Sequence, residues 1–383
     1  MNILVLADNF TPEIVATSFR THEHAKVWLE QGHSVTVVTC APNWPQGQLF
    51  PGYRNRLYQE EWIDGIRVIR VWSYMTANKG FLKRTLDYVS FMLSAVFWCW
   101  RFPRFDVVLA TSPQFFTALA GWLISVLRWR PWIFEVRDLW PASIAAVGAS
   151  KGRLIHWLER LELFLYRRAN RVLVVTSAFR DDLQSRGIPV EKIDLATNGV
   201  DVANFSPDQV SFNARERLDI PEDAFVSGYV GTTGMAHGLE TLIEAAAACR
   251  DYQHIQFLII GEGAERAALE ELARQKGLNN LRFLNRVPHA DMPSYLSAFD
   301  LPIIHLRPDP VFRTVIPSKL FEFMAMQLPV LMAVEGEAAV IVSDAGCGVC
   351  IPSGDAAAMA NAILDLAARR KALALMGARG YSK

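Results

Sequence analysis

Residues 313–329 read Arg-Thr-Val-Ile-Pro-Ser-Lys-Leu-Phe-Glu-Phe-Met-Ala-Met-Gln-Leu-Pro. Pro317 suits the first turn of a helix, because its missing N–H would be unsatisfied there and its φ is already helical. The apolar residues that follow surround the predicted helix almost completely, so we expect it to be buried. Lys319 and Glu322 interrupt this apolar run, and their spacing of three places both on one face.

Lys319 and Glu322 have the chemistry of a nucleotide site. Lys319 lies beside the positive N-terminus of the predicted helix, which is a favourable place for a phosphate. Glu322, one turn further, can accept two hydrogen bonds from a diol such as a ribose. A buried carboxylate needs such partners, because desolvating it without them is costly. The alternative is an ordinary Lys–Glu helix pair beside a core.

The stretch is also similar to a known family. Pro-Ser-Lys-Leu-Phe-Glu-Phe-Met-Ala-Met followed by Leu-Pro-Val resembles the nucleotide-binding signature of the family-four retaining glycosyltransferases. Within that family it is closest to the branch that builds bacterial surface polysaccharides, typified by the L-fucosamine (FucNAc) transferases. The resemblance implies catalytic roles for Lys319, which faces the diphosphate, and for Glu322, which holds the ribose. It also places Ser318 and Leu320 at the donor.

Two positions depart from the family pattern. Many relatives carry a second Glu where this chain has Thr314, and most carry a Gly where it has Gln327. The first departure affects how the transferred sugar is held, whereas the second affects only the helix C-terminus.

Length, composition and charge describe a folded chain with room for two domains. The 383 residues are 51% apolar and 20% charged. Residues 1–200 carry 23 Lys and Arg against 17 Asp and Glu, a net +6, which leaves −6 for residues 201–383. A basic first half indicates an anionic partner, such as a membrane surface or a pyrophosphate lipid. We expect no nucleic-acid partner, because no recognition motif or Lys-rich tract accompanies the charge.

The five cysteines indicate a reducing compartment and no metal site. Their number is odd and most lie in apolar runs, which suits a cytoplasmic protein. Cys347 and Cys350 have redox spacing, but they lead into a predicted strand rather than open a helix, and no second pair completes a zinc site. The resemblance implies that no catalytic metal is needed, and no Asp-x-Asp tract argues otherwise; we expect no cofactor.

The apolar runs of the first half predict no leader and no membrane span. Met1 leads directly into an apolar strand, so we predict no signal peptide. The runs over 89–100 and 115–129 are shorter than the roughly 20 residues that a membrane span needs.

The first half opens with a βαβ unit. A strand over 3–7, a helix over 18–30 and a strand over 35–38 are predicted. No Gly-x-Gly-x-x-Gly follows the first strand, so a dinucleotide site is not expected. The resemblance extends to Glu13 and Arg20, which it places on the acceptor side. The alternative for Arg20 is a solvated helix arginine.

Residues 81–104 combine cations with aromatic rings. They follow a stretch rich in Pro, Trp, Tyr and Gly, over 41–80, in which a strand over 66–72 is predicted. Rings and cations on one helical segment suit a membrane interface. We therefore predict peripheral binding to the inner face of an anionic membrane; the alternative is a core helix with polar ends. The cations are Lys83, Arg84, Arg101 and Arg104.

A strand over 133–136 runs into Arg-Asp-Leu-Trp-Pro at 137–141. Charged residues at the C-terminal end of a parallel strand lie where α/β sheets bind ligands. The segment is similar to the acceptor-side motif of the family, which implies acceptor contacts for Arg137 and Trp140 and a catalytic role for Asp138. The alternative is an Arg137–Asp138 pair that caps the next turn.

The first half ends with a last strand over 172–176 and a helix capped by Ser177. Thr-Asn-Gly-Val-Asp over 197–201 then resembles the family's linker, and Asn-Gly favours a turn in any context. We predict an N-terminal, acceptor-side domain over 1–200 and a C-terminal, nucleotide-sugar-binding domain over 201–383.

The second half begins with a strand over 225–230 and a Gly-rich turn over 231–238. Such a turn lets backbone N–H groups approach a phosphate, although it is not a P-loop, because Gly-Lys-Ser/Thr is absent. In most relatives an Arg and a Lys occupy the positions of Thr232 and His237, so other groups must stabilise the leaving diphosphate here. The resemblance implies donor contacts from Gly231, Thr232, Thr233, Gly234, His237, Gly261, Arg286, Val287 and Arg313.

Two βαβ-rich halves with candidate sites at strand C-termini predict a two-domain α/β protein. With the resemblance, this is the GT-B fold, in which two Rossmann-like domains face each other across a cleft. Relatives usually continue beyond the position of Lys383 into a helix that crosses back to the first domain, and we expect this chain to lack it.

The implied reaction moves a sugar, with FucNAc as a candidate, from a UDP-sugar to a polyprenyl-diphosphate-linked saccharide. It retains configuration and belongs to O-antigen, capsule or exopolysaccharide biosynthesis. Two alternatives stay open: a catalytically inactive nucleotide-sugar-binding or assembly subunit, and a UDP-sugar epimerase of the same architecture.

Overall fold

The computed structural model describes residues 1–44, 46–76, 81–112, 114–139 and 153–382. The chain divides into two compact units, Met1–Thr197 and Asn198–Lys383. The division falls within the stretch 197–201 that the sequence marked as a linker.

The first unit is built on an eight-stranded sheet in the order β3-β4-β2-β1-β5-β6-β7-β8. Neighbouring strands are parallel except for the antiparallel pair β3 and β4. The side chains of β1 and β2 are almost all buried, as expected for parallel strands covered on both faces. The strands are β1 Asn2–Leu6, β2 Ser34–Cys40, β3 Tyr58–Ile63, β4 Ile66–Val71, β5 Val107–Thr111, β6 Trp132–Val136, β7 Arg171–Val174 and β8 Ile193–Leu195.

The helices of the first unit cover this sheet. A layer is formed by α2, α3 and α4, because α3 packs against both α2 and α4. The helix α1 packs against β2. The described helices are α1 Ala16–Glu30, α2 Phe81–Trp98, α3 Phe115–Arg128, α4 Arg153–Arg168 and α5 Ser177–Ser185.

Two local predictions for this unit are wrong, and one strand was not predicted. The stretch 41–80 holds a second strand, β3, whose half-exposed and charged sequence shows no apolar run and is stabilised by pairing with β4. The strand β7 is followed by β8, which at three residues is too short to show a periodic pattern. Thr176 rather than Ser177 caps α5, because Thr176 has extended backbone and its Oγ1 accepts from the Phe179 amide at 3.1 Å.

The second unit is built on a six-stranded parallel sheet in the order β11-β10-β9-β12-β13-β14. Its strands are β9 Phe225–Val230, β10 Ile255–Ile260, β11 Leu281–Leu284, β12 Leu301–His305, β13 Val330–Ala333 and β14 Gly348–Cys350. Its described helices are α6 Ala214–Arg217, α7 Glu240–Ala248, α8 Arg266–Gln275, α9 Met292–Leu296, α10 Lys319–Ala325, α11 Glu337–Ala345, α12 Ala356–Ala368 and α13 Arg370–Tyr381.

An apolar layer covers each face of the second sheet. Successive strand residues point to opposite faces, so Phe225 belongs to one layer and Val226 to the other. Leu320 and Phe323 of α10 are buried in the layer of Val226. This packing holds α10 against the sheet and so determines where its polar side chains lie.

Both sheets change their direction of winding at a central strand. In the first, β1 lies between β2 and β5; in the second, β9 lies between β10 and β12. Ligands of open parallel sheets bind outside the carboxyl ends of the strands at such a point. The loops after β1 and β5, and those after β9 and β12, are therefore the expected ligand-binding loops.

Among the described helices, none combines the length and the apolar character that crossing a membrane requires. Within the described residues, no group of three or more His, Cys, Asp or Glu side chains is placed to hold a metal ion.

Candidate active site

The helix α10 presents the two polar side chains of the signature at its first turn. Lys319 Nζ lies 2.7 Å from Glu322 Oε2, so the pair predicted on one face forms. The two side chains stay 27% and 15% exposed, whereas Leu320 and Phe323 are fully buried. The helix is thus buried on one side and leaves the ion pair accessible on the other.

Pro317 lies outside the helix rather than in its first turn, and that prediction is wrong. Ser318 is the N-cap and α10 begins at Lys319. The amide of Leu320 donates to the Pro317 carbonyl at 3.0 Å, and that of Phe321 to Ser318 at 3.2 Å. Bonds of this reach form a 3₁₀ turn ahead of the α-helix. Leu320 was expected to contact the donor. Its amide forms this turn and its side chain is buried in the core, so Leu320 stabilises the first turn of α10.

Two glycine-containing turns meet at the carboxyl ends of β9 and β10. The amide of Thr233 donates to the Glu262 carbonyl at 3.0 Å. A Cβ at Gly261 would overlap the carbonyl oxygen of Gly231, and one at Gly263 would overlap that of Thr233. Glycine is required for this approach, so the paired turns expose backbone rather than side chains.

The predicted donor residues of the first turn differ in exposure. Thr232 is exposed, and Gly231 and Gly234 are half-buried. Thr233 is fully buried, and its hydroxyl has no hydrogen-bond partner among the described residues. Thr233 therefore contributes to the turn through its backbone, whereas Thr232 and the two glycines are accessible at the surface.

His237 closes this turn and is held by the two central strands. Its Nδ1 lies 3.0 Å from Tyr229 Oη, and its carbonyl accepts from His305 Nδ1 at 2.6 Å. Burial, together with the neighbouring His305, lowers the pKa of His237 to about 4. The imidazole is consequently neutral near pH 7, and residues 231–238 carry no positive charge.

The other predicted donor residues follow β11 and precede α10. Burial lowers the pKa of Arg286, and Glu262 opposes that change. Val287 packs against the apolar layer of α10. Arg313 lies 3.3 Å from Glu335. The cations available to a diphosphate in this region, Lys319 included, thus each have a carboxylate neighbour.

A cavity of about 200 Å³ adjoins Arg313. Its lining includes Arg307, whose guanidinium lies 2.7 Å from Glu240, and Glu335. Neither residue belongs to a sequence motif, so neither was predicted. A usable signal was present, since each closely follows an apolar strand, β12 or β13, at its carboxyl end.

Glu13 is buried and fixes the loop after β1. Its Oε1 accepts from the amides of Asn43 and Trp44, each at 2.8 Å. Its Oε2 accepts from Asn9 Nδ2 at 3.1 Å and from the Phe10 amide at 3.3 Å. Burial raises the pKa of Glu13, and these four bonds oppose the rise. The carboxylate therefore ties two loops together, and its acceptor-side role stays a prediction.

Arg20 is buried, so the alternative of a solvated helix arginine is wrong. Its side chain is 7% exposed, and Nε lies 2.8 Å from Glu135 Oε1. Its other nitrogens donate to the carbonyls of Thr197 at 3.2 Å and Ala196 at 3.0 Å. Burial opposes ionisation of Glu135, yet Arg20 and Arg137 keep the pKa of Glu135 below its usual value. Arg20 thereby joins α1 to the C-terminal part of β6 and to residues 196 and 197 at the end of the first unit.

Arg137 and Asp138 directly follow β6. Their amides donate to Ser112 Oγ at 2.7 Å and 3.4 Å. Nε and Nη1 of Arg137 are buried without a hydrogen-bond partner among the described residues. Burial raises the pKa of Asp138 to about 6, and Arg137 opposes the rise. Trp140, and the turn that an Arg137–Asp138 pair would cap, lie outside the described residues.

Asp8 and Gln114 bring further polar groups to the carboxyl ends of the strands of the first sheet, and neither was predicted from the sequence. Asp8 follows β1, and its Oδ2 accepts from Gln114 Nε2. Burial raises the pKa of Asp8 well above its usual value, and Asp87 and Glu13 add to the rise. Asp8 could have been found as the first polar residue after the apolar strand β1.

Comparisons with known proteins match both units. The family model described as "Glycosyl transferase 4-like domain" matches residues 17–199, and the one described as "Glycosyl transferases group 1" matches residues 210–383. The two matches together cover nearly the whole chain.

Individual proteins agree with these matches. The chain is 28% identical over 338 residues to WcaI of Escherichia coli K12, a glycosyl transferase assigned to colanic acid biosynthesis, with 85% of this chain and 81% of that one covered. It is 27% identical over 274 residues to the glycosyltransferase WbjE of Pseudomonas aeruginosa, covering 69% and 66%. The crystal structure of Anabaena HepE with UDP and glucose shares the fold, with a TM-score of 0.73 and 19% identity over 99% of this chain and 93% of that one. The chain is therefore a glycosyltransferase of the GT-B fold, with a 4-like domain in its first unit and a group 1 domain in its second.

Proposed function

We propose that the second unit binds a UDP-sugar, with the ribose at Glu322 and the diphosphate between Lys319 and the turns after β9 and β10. The observation that carries this proposal is the Lys319–Glu322 pair on the accessible side of α10. A carboxylate can accept hydrogen bonds from both hydroxyls of a ribose, and an ammonium group binds a phosphate oxygen strongly. The glycine turns add backbone N–H groups, which bind anions.

A uridine nucleotide is the donor that the comparisons favour. HepE, which shares the fold, was crystallised with UDP and glucose. For the transferred sugar, FucNAc stays the candidate that the signature suggests.

The first unit binds the acceptor in this proposal, and the acceptor is a polyprenyl-diphosphate-linked saccharide. Arg137 supports an anionic acceptor, because two of its buried N–H groups have no partner among the described residues and such groups are rarely left unsatisfied. The relative WcaI is assigned to colanic acid biosynthesis, which supports a role in bacterial surface polysaccharide.

The chemistry that we propose is transfer with retention of configuration. The bond between the anomeric carbon and the diphosphate oxygen breaks, and the acceptor oxygen bonds to the same face of that carbon. The departing diphosphate takes the proton of the acceptor hydroxyl. The protein contributes positioning and electrostatic stabilisation of the leaving group, chiefly through Lys319, Arg313 and the backbone amides of the turns.

We also propose that the first unit binds an anionic membrane through α2 and the end of α3. Leu86, Leu93 and Phe97 are exposed on α2, and their spacings of seven and four place them in one stripe. Trp100 is exposed in the 3₁₀ turn that follows α2. Arg128 lies over the Trp100 ring at 5.9 Å, and the next residue, Trp129, is 91% exposed. Aromatic rings beside arginines suit the headgroup region of a membrane. A core helix with polar ends explains only the buried side of α2.

A UDP-release assay tests the enzymatic proposal. UDP should be released from a UDP-sugar only when a lipid-linked saccharide acceptor is present. Binding of UDP-sugars without release under any acceptor would indicate an inactive binding subunit. Interconversion of UDP-sugars without release would indicate an epimerase.

Sedimentation with anionic vesicles tests the membrane proposal. Replacing Leu93 and Phe97 with Ser should reduce binding, and binding should weaken with added salt. The matched control replaces Leu375 and Tyr381 on α13, because Leu375 is 57% exposed and Leu93 is 59% exposed. Equal sedimentation of the two variants would contradict the proposal.

A further inference from the structure

The turn after β9 holds a single titratable side chain. Residues 231–238 read Gly-Thr-Thr-Gly-Met-Ala-His-Gly and contain no Lys or Arg. The diphosphate of a UDP-sugar carries two negative charges. A diphosphate bound at this turn therefore meets backbone N–H groups and the imidazole of His237, but no fixed cation of the turn.

The hydrogen bonds around His237 determine which ring nitrogen carries its proton. Tyr229 Oη lies 3.0 Å from the Thr232 carbonyl oxygen and 3.0 Å from His237 Nδ1. A carbonyl oxygen cannot donate, so the single hydroxyl proton of Tyr229 points to Thr232. His237 Nδ1 must then be the donor to Oη. The neutral ring consequently has its lone pair on Nε2, which is where a second proton can add.

His305 supports the same turn but is not available for a second proton. Its Nδ1 donates to the His237 carbonyl at 2.6 Å, and its Nε2 accepts from the Gly354 amide at 3.1 Å. Both ring nitrogens of His305 therefore bond to backbone groups, one to a carbonyl, which can only accept, and one to an amide, which can only donate. Burial lowers the pKa of His305 as well. Protonation of His305 would break the bond to Gly354, so His305 positions the turn as a neutral ring.

The remaining charged groups near the two histidines are engaged with one another. Arg307 lies 2.7 Å from Glu240 and 3.5 Å from Glu265. Arg307 also holds the turn, because its amide donates to the Ala236 carbonyl at 2.9 Å. These ion pairs leave His237 as the group of the turn that can change its charge.

We propose that His237 takes up a proton on Nε2 when the diphosphate of the donor binds, and thereby supplies the positive charge that the turn lacks. This inference rests on the proposed function, because it requires the diphosphate at this turn. Burial keeps the ring neutral in the free protein, where the pKa of His237 is about 4. An opposite charge within about 4–6 Å moves a pKa by about one to three, and the diphosphate brings two such charges.

The proton uptake makes donor affinity depend on pH. Between the pKa of His237 in the free protein and the higher pKa in the complex, binding takes up a proton. Affinity must therefore increase as the pH falls through this interval, by at most about tenfold in Kd for each pH unit, because the proton and the donor favour each other's binding equally.

Calorimetry with UDP measures the uptake. The titration is run near pH 5.5 in two buffers of different ionisation enthalpy, so that the difference in heat counts protons. UDP has an ionisation of its own, so the quantity of interest is the difference between wild type and His237→Gln. For a rise of about one to three in a pKa of about 4, wild type should take up about 0.2–0.9 of a proton more than His237→Gln. The matched control is His254→Gln. His254 is exposed and directly precedes β10, so it lies at the amino ends of the strands, opposite the turn after β9. This variant should behave as wild type.

Two further measurements keep the test decisive. His237→Lys carries a fixed charge, so its Kd for UDP should lose the added pH dependence of wild type. Imidazole ¹H–¹⁵N spectra of wild type should show the Nδ1–H tautomer of His237 without UDP and a doubly protonated ring with saturating UDP. Equal proton uptake by wild type and His237→Gln, or a ring that stays neutral with UDP bound, would overturn the inference while leaving UDP binding intact. A wild-type protein that binds no UDP would overturn the proposed function and the inference together.

Discussion

Replacing Lys319 with Ala separates a catalytic role from a structural one. The structural contribution is small, because the ion pair with Glu322 is partly exposed, at 27% and 15% of the two side chains. Partly exposed pairs contribute about 0.2–1 kcal/mol, so the variant should lose no more than about 1 kcal/mol of stability. A group that stabilises the leaving diphosphate contributes far more to the rate, about 10²–10³ in kcat. The two roles therefore predict effects of different size in different measurements.

The assay pairs turnover with melting temperature on one preparation of each variant. Lys276→Ala is a matched control, because Lys276 lies 2.9 Å from Glu244 with 31% and 49% of the two side chains exposed. Both variants should lose at most about 2–4 °C in Tm. Only Lys319→Ala should lose about 10²–10³ in UDP release, with a smaller change in KM. A Lys319→Ala protein that melts like Lys276→Ala and turns over like wild type would refute the catalytic role.

Three other substitutions give separate tests. Glu322→Gln should weaken UDP binding by about 1.5–3 kcal/mol, and unchanged affinity by calorimetry in a folded variant would remove Glu322 from the ribose site. The folded-state pKa of Asp138, about 6, lies above the unfolded value of about 3.9, so the ionised carboxyl destabilises the fold above pH 6. Asp138→Asn should accordingly raise Tm at pH 8 and change it little at pH 4; equal shifts at both pH values would contradict this sign. Gly261→Ala should cost about 1–3 kcal/mol more in urea unfolding than Gly277→Ala, since both glycines have positive φ but only the Cβ at Gly261 meets backbone; similar costs would show that the two turns separate easily.

The fold class and the helix α10 could be predicted from the sequence because their signals are local. Strands covered on both faces are continuous apolar runs, as in β1 and β9, and their alternation with helices predicts parallel sheets. The signature around Lys319 and Glu322 is contiguous, so the helical period alone places its two polar groups on one face. A strand with neither property, such as β3, could not be predicted, because its stability comes from pairing with β4.

The electrostatic state of the site residues depended on contacts between distant parts of the chain. Arg20 is buried because Glu135 and the carbonyls of residues 196 and 197 surround its guanidinium. Glu13 is held by amides some thirty residues away, at Asn43 and Trp44. Burial and hydrogen bonding set a pKa through space, and a sequence pattern records neither. For the same reason, the neutral ring of His237 became visible only when β9 and β12 placed Tyr229 and His305 against it.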